Sequence, residues 1–315
     1  MTIKLTLICP VYKVSQYIPE LMRSLLDGVN NEQVEIIFVD DKCPEHSIDI
    51  CETFIQQHQQ EIKFNTKIIK LSENKGQASA RNTALKNASG VYIGFIDSDD
   101  AISPLYWKIL EPYINSTRND IIEFDFKEFS QQVPCSDYAQ DIIVNELQSS
   151  KLNPFYTGFF VWTRLYKKEI VNNLFFPEGK IYEDIFYNIH AFANSKSSIR
   201  IDTCLVYYRK RANSTTTSRD ASYSNLLLNM VNSVKSTLQS FENKNIVVFQ
   251  LARYSLLVSL KGFTIKERSE RHVFFTKCST INLSLEPMFK EFNSSLLASF
   301  KFRFSQFVCL VGRFL

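Results

Sequence analysis

Apolar positions in the first 130 residues come in two alternating textures, short unbroken runs and longer stretches with helical spacing. Thr2–Cys9 is a run closing at Pro10, and Val34–Val39 is a β-branched run that ends on Asp40 and Asp41. Lys67–Leu71, Val91–Ile96 and Asp120–Phe126 continue the series. Such runs bounded by polar or turn residues predict strands buried on both faces. Between them, Tyr17–Gly28 sets Ile18, Leu21, Leu25 and Leu26 on one helical face, with Gly28 as its stop. Ser47–Gln60, Ala78–Ala88 (stopped near Gly90) and Pro104–Ile114 (with Pro104 in its first turn) also predict helices. The alternation predicts an α/β, Rossmann-like, mostly parallel sheet flanked by helices. Ligands of such sheets bind outside the carboxyl ends of the strands.

The pattern changes further along. Residues 130–155 read as a loop with Pro134 and Pro154, Ile181–Ala193 as a strand end or loop running into a helix, and Ile199–Tyr208 as a strand. From Ser222 the spacing is helical, so the chain divides into an α/β domain over 1–220 and a helical region over 221–315. At 100° per residue, Phe300, Phe304, Phe307, Val308, Val311, Phe314 and Leu315 fall within about 120° of arc, flanked by Lys301 and Arg303. Phe302 lies off this stripe, and the Phe-Lys-Phe-Arg-Phe alternation also suits a strand.

Charge sharpens the division. Residues 201–315 carry 16 Lys+Arg and 7 Asp+Glu, a net +9, whereas residues 1–200 net −6. The basic rear with an apolar stripe predicts an interfacial helix on an anionic membrane surface, and a homo-oligomer contact or packing on its own domain is the alternative. No nucleic-acid recognition module is visible. Seven scattered cysteines without a CxxC pair argue against a disulfide framework or zinc site. The start does not read as a signal peptide, and no run of 18 apolar residues occurs. These features predict a cytoplasmic protein, peripheral on the inner face of the cell membrane.

Three segments carry candidate chemistry at strand ends. Asp97-Ser98-Asp99-Asp100 follows Phe95-Ile96, where a divalent cation can take one or two carboxylates plus phosphate oxygens. Asp40-Asp41 follows Phe38-Val39, where a carboxylate can accept an imide N–H of uracil. In Asn74-Lys75-Gly76-Gln77-Ala78-Ser79-Ala80-Arg81-Asn82 a glycine opens a helix that carries an arginine, a pairing suited to phosphate. Taken singly, each has an ordinary reading: an acidic turn, a helix cap, a surface arginine.

In order and spacing the three resemble the inverting family 2 glycosyltransferases of the GT-A fold. That family opens with a strand and Pro-x-Tyr, here Pro10-Val11-Tyr12, then a strand ending in paired Asp, then Gly-x-x-x-Ala-Arg-Asn, then Asp-x-Asp. The resemblance is specific over 1–110. It extends less tightly to Val161–Tyr166, Phe176–Gly179, Tyr182-Glu183-Asp184 and Tyr207-Tyr208-Arg209. It implies that Pro10, Val11, Tyr12 and Asp41 line a uridine pocket and that Gly76 and Arg81 lie near the nucleotide. Asp97 and Ser98 would sit by ribose or diphosphate, and Asp99, with Asp97, would bind Mn²⁺ or Mg²⁺. Asp184 takes the place of the catalytic base, with Glu183 the second candidate, and Arg209 or Arg211 would clamp the diphosphate. The implied activity moves a sugar from a UDP-sugar to a saccharide or lipid-linked saccharide acceptor of bacterial surface polysaccharide such as capsule or lipopolysaccharide.

Bland readings stand beside these. Glu183-Asp184 also suits a helix start, Arg209-Lys210-Arg211 a solvated surface, and Trp162 either a sugar-stacking platform or core. A sugar nucleotidyltransferase would need a Gly-rich loop after the first strand, and residues 10–17 contain no Gly. A non-catalytic partner with the same fold would have no use for Asp97, Asp99 and Asp184.

Overall fold

A computed structural model describes residues 2–130, 146–148, 158–211, 224–241, 244–291 and 296–312. The chain forms two compact units, one comprising 1–152, 160–180 and 194–211, the other 153–159, 181–193 and 212–315.

The first unit is built on a sheet. β1 (Leu5–Val11), β2 (Val34–Asp40), β3 (Asn65–Lys70) and β4 (Tyr92–Phe95) pair in parallel in the order β3-β2-β1-β4. Every position of β1, β2 and β4 is buried, which accounts for their mainly apolar texture, with Thr6 and Glu35 as buried polar exceptions, while β3 at the edge is partly exposed. Helices α1 (Ile18–Val29), α2 (Ser47–Gln57) and α3 (Gln77–Asn87) connect them; β5 (Ala101–Ile102) and α4 (Tyr106–Ser116) follow. α1 buries Ile18, Leu21, Leu25 and Leu26 as its spacing predicts.

Beyond β4 the sheet is mixed. β8 (Arg164–Lys167) runs antiparallel to both β4 and β6 (Ile121–Phe129), and β9 (Ser198–Arg209) is parallel to β6. β5 and β7 (Glu146–Gln148) add antiparallel to β9, and the short α5 (Lys168–Val171) follows β8. The two reversals through β8 cancel. The carboxyl ends of β1, β2, β4, β6 and β9 therefore point the same way.

Three local expectations need correction. β1 does not close at Pro10 but runs through it to Val11. Its pairing with β4 stops at Ile8↔Phe95, so the missing N–H of Pro10 costs no ladder bond. Gly28 is not a helix stop but lies inside α1, where a Cβ would sit 2.5 Å from the Ser103 carbonyl oxygen and 2.9 Å from Ile102 Cδ1. Close approach to the β5–α4 segment selects glycine there. Pro104 precedes α4 rather than opening it, and Pro112 sits within the helix.

The second unit is helical, as the spacing predicts: α6 (Glu183–Asn194), α7 (Ser224–Thr237), α8 (Lys244–Lys261), α9 (Arg268–Leu283), α10 (Glu286–Glu291) and α11 (Leu296–Gly312). Leu227, Met230, Val234, Leu251, Phe274 and Phe275 are among its core. A buried polar seam crosses that core. Ser305 Oγ lies 2.9 Å from both Ser255 Oγ and Ser259 Oγ and accepts from Asn282 Nδ2 at 2.9 Å. This seam fixes the rotation of α11. Phe302, off the expected stripe, is buried with Val308, whereas Phe304 and Phe307 are 40% and 58% exposed. The stripe predicted to face outward is thus divided between core and surface. The side chains of Phe300 and Val311 and residues 313–315 lie outside the described residues, as does most of the loop expected at 130–155. Among the described residues no helix is long and apolar enough to cross a membrane.

Candidate functional site

The turn after β2 holds two carboxylates with different tasks. Asp40 Oδ1 accepts the Cys43 N–H at 2.8 Å and closes the turn. Asp41 is buried, and its two oxygens accept the Lys75 and Gly76 N–H groups, each at 2.8 Å. It therefore braces the loop that opens α3. Gly76 has φ +85°, a conformation that favours glycine, and caps that helix.

The turn after β4 begins where Ile96 N–H donates to Ile8 O, and it closes with Asp100 N–H on Asp97 O at 3.0 Å. Asp97 Oδ1 accepts from Arg81 Nη2 at 2.9 Å and from Gln77 Nε2 at 2.8 Å. Arg81 is not the surface arginine its helix position also suits. It is buried, with its guanidinium 5.9 Å from the Phe95 ring centroid and 5.2 Å from that of Phe176. Its neighbour Asn82 donates to Phe176 O and accepts the Phe176 N–H, so α3 also anchors the Phe176–Gly179 segment.

Arg209 and Arg211 reach the same turn from the end of β9. Arg209 is buried; its N–H donates to Asp100 Oδ1 at 2.7 Å, its Nε to Asp99 O at 2.8 Å, and its Nη2 pairs with Glu20 of α1. The guanidinium also lies over Tyr17 and Phe129, 4.7 and 4.3 Å from the ring centroids. Arg211 Nε sits 2.6 Å from Asp99 Oδ2. Burial, then the charge of Asp97, pushes the Asp99 carboxyl up to about 6 even with both arginines opposing. The Asp100 carboxyl is also raised well above its ordinary value, by burial and then by the charges of Asp97 and Asp99. Three carboxylates, Asp97, Asp99 and Asp100, thus meet three arginines at one turn, and Asp99 with Asp97 beside it could offer oxygens to a cation.

Other expected residues are placed as follows. Pro10, Val11 and Ser98 are buried, and Val11 belongs to the hydrophobic core, so of the first motif Tyr12, 39% exposed, presents the surface. Trp162 is core: it is buried in a stack between Phe160 and Tyr208, with centroids 4.9 and 5.2 Å away. Glu183 and Asp184 belong to the second unit, where they open α6 behind Tyr182, a non-glycine residue at φ 64°. Asn229 of α7 donates to Ile181 O at 2.7 Å, and Asn188 of α6 bridges Phe159 O and Asp184 O. Sequence reasoning did not single out Glu20, Gln77 or Asn229. Each reads as an ordinary polar position on a helix, with no local signal of its distant partner.

Among the described residues no group of three or more His, Cys, Asp and Glu side chains forms a closed metal site. The donor set at Asp99 instead fits a cation held by one or two carboxylates, with phosphate oxygens and water completing its shell.

Known proteins are similar to this chain over most of its length. The uncharacterized glycosyltransferase EpsJ of Bacillus subtilis is 31% identical over 221 residues, 67% of this chain and 62% of its own length. The poly(ribitol-phosphate) beta-N-acetylglucosaminyltransferase TarS of Staphylococcus aureus is 27% identical over 278 residues, 85% of this chain and 47% of its own. The chain thus spans less than two thirds of the length of these curated relatives. A crystal structure of S. aureus TarS 1-349 in complex with UDP-GlcNAc superposes with a TM-score of 0.78 at 21% identity, covering 99% of this chain and 89% of that one. The fold is accordingly the GT-A-like α/β fold with a C-terminal helical region. The model of "Glycosyl transferase family 2" matches residues 6–175, more than half of the chain, and the chain belongs to that family.

Proposed function

We propose that the protein is an inverting, metal-dependent glycosyltransferase that moves a sugar from a UDP-sugar to a saccharide or lipid-linked acceptor of a bacterial surface polysaccharide. The observation that carries this reading is the turn at Asp97–Asp100, where partly buried carboxylates meet Arg81, Arg209 and Arg211 at the carboxyl edge of the sheet. TarS was crystallised with UDP-GlcNAc, which supports a UDP-sugar donor and makes UDP-GlcNAc the first to test.

In this reading Tyr12 packs on the base and Asp41 sets the loop around it. Asp99, with Asp97 beside it, holds Mn²⁺ or Mg²⁺. When bound, the metal acts as a Lewis acid on the departing diphosphate. Arg211 adds positive charge there, and Arg81 holds Asp97 in orientation. Asp184 takes the proton of the acceptor hydroxyl, a general-base contribution of about 10²–10⁴-fold; Glu183 is the alternative. Phe304, Phe307 and the basic rear half support docking on an anionic membrane, where a lipid-linked acceptor would reside.

The test is donor turnover with a panel of UDP-sugars, with Mn²⁺ or with EDTA. Asp99→Ala is expected to lose metal-dependent UDP binding. Asp184→Asn is expected to keep donor binding and lose turnover, because it retains shape and removes the base. Full activity in EDTA overturns the metal assignment, and normal turnover of Asp184→Asn moves the base to Glu183. Proton NMR of the product, compared with an α-linked donor, decides inversion.

A further inference from the structure

Arg209 and Arg211 are two residues apart, and both touch the Asp97–Asp100 turn, yet they are held differently. Arg209 is committed on every side: to Asp99 O, to Glu20, to two aromatic rings and, through its backbone, to Asp100. Moving it would strand a buried guanidinium and break its pairing with Glu20, so it serves as frame. Arg211 has a third of its side chain exposed, and among the described residues its contacts are the Asp99 carboxylate and the Tyr17 ring at 5.5 Å. Its Nε lies 2.6 Å from Asp99 Oδ2, but the N–H is not aimed at a hydrogen-bond acceptor. The contact is one of charge rather than of directed bonding, and the Asp99 side chain is only 13% exposed.

We propose that Arg211 is the site's built-in counter-ion, which competes with the divalent cation for Asp99 and passes to the donor diphosphate when the cation arrives. This rests on the assignment of the metal to Asp99. Mg²⁺ sits about 2.0–2.1 Å from a ligating oxygen, and Mn²⁺ is comparable. A guanidinium 2.6 Å from that same oxygen would then lie within about 5 Å of the dication, a range at which like charges in a partly buried site repel. The two positive groups therefore disfavour one another at Asp99. Expelled alone, Arg211 gives up an ion pair; expelled in the presence of a diphosphate, it gains an anion that a planar guanidinium can grip through two N–H groups. Metal and nucleotide therefore bind better together than singly, and linkage makes that advantage equal in both directions. Arg209, anchored by Glu20, cannot make the exchange.

The experiment is Mn²⁺ titration followed by EPR of the free ion, without nucleotide and then with saturating UDP, on the full chain. Arg211→Gln is expected to bind Mn²⁺ alone about 3–10-fold more tightly than wild type, the range of a modest, partly screened ion pair. The same variant is expected to lose most of the gain in Mn²⁺ affinity that UDP confers on wild type. Arg211→Lys retains a cation and is expected to bind Mn²⁺ alone as wild type does. A residue that merely supports the fold would weaken Mn²⁺ binding in both variants, which would overturn the proposal. Unchanged Mn²⁺ affinity in Arg211→Gln, with binding abolished by Asp99→Asn, removes the exchange and leaves the metal assignment standing. Mn²⁺ binding by Asp99→Asn equal to wild type removes both.

Discussion

Asp41 can be tested in a way that separates scaffold from ligand contact. Its oxygens each accept one backbone N–H of the loop before α3, at 2.8 Å and out of water. Asp41→Asn keeps one acceptor and turns an NH₂ group toward the second N–H. That loses one hydrogen bond to a charged group and leaves two donors facing each other. Bonds to charged groups contribute about 1.5–3 kcal/mol each, so the variant should lose about 2–3 kcal/mol without any ligand. For a domain of 150–250 residues a loss of this size lowers the melting temperature by about 4–12 °C. The assay is thermal unfolding of the ligand-free protein, followed by the same measurement with saturating UDP. If Asp41 served only to read the base, the ligand-free melt would not move and only the UDP-induced increment would shrink. A ligand-free melt within about 1 °C of wild type would refute the bracing role and the reasoning from those two bonds.

Further outcomes follow from other contacts. Burial alone would push the Glu35 carboxyl up, but hydrogen bonds from Lys67, Thr6 and Ser89 outweigh it and hold the group below its ordinary range. Its stabilisation is therefore full above the unfolded value near pH 4.3 and is lost as pH falls through the lower folded value. Glu35→Gln should cost about 1–3 kcal/mol in urea unfolding at pH 7, and the gap to wild type should close in acid; a gap constant from pH 7 to 3 refutes this. Gly28→Ala gains about 1 kcal/mol of helix propensity but forces a methyl to 2.5 Å from a backbone oxygen that no rotamer relieves. A net loss of about 1–3 kcal/mol is expected, and a stabilised variant would show that β5 yields freely. Phe304→Ser/Phe307→Ser should reduce cosedimentation with phosphatidylglycerol vesicles at least 3-fold, in the range allowed by removing two exposed phenyl groups. Equal binding by wild type and variant would leave α11 without a membrane role.

Much of the first unit was legible because its strands are buried on both faces. Leu5–Val11, Val34–Asp40 and Tyr92–Phe95 are mainly apolar, with only Thr6 and Glu35 as buried polar interruptions, so the Asp or Tyr that follows each run marks its end. The residues that hold those ends were not legible. Glu20 looks like an acid in a first helical turn, and nothing near it in the sequence announces its pairing with the distant Arg209. Gly28 reads as a stop by local rule, and its meaning comes from Ile102 and Ser103. Arg81 belongs to a helix without clear amphipathy, so nothing local foretold its burial between two rings. In α11 the periodicity was right for a helix, but the arc of phenylalanines did not show which residues face the neighbours. Ser305 decides that, through three polar partners on two other helices.

The Arg209 junction bears on the order in which the molecule can be made. It joins residues separated by 189 positions to Glu20 and 109 to Asp100. A ribosome that has released only the first 110 residues has delivered the motifs of that stretch, yet its Asp-x-Asp turn lacks both Arg209 and Arg211. Closing so long a loop must precede the contacts that reward it, and domains mature as units during synthesis. The Asp-x-Asp turn is therefore framed late, when β9 docks, and a truncated product ending before residue 209 retains the signature of the family without that frame.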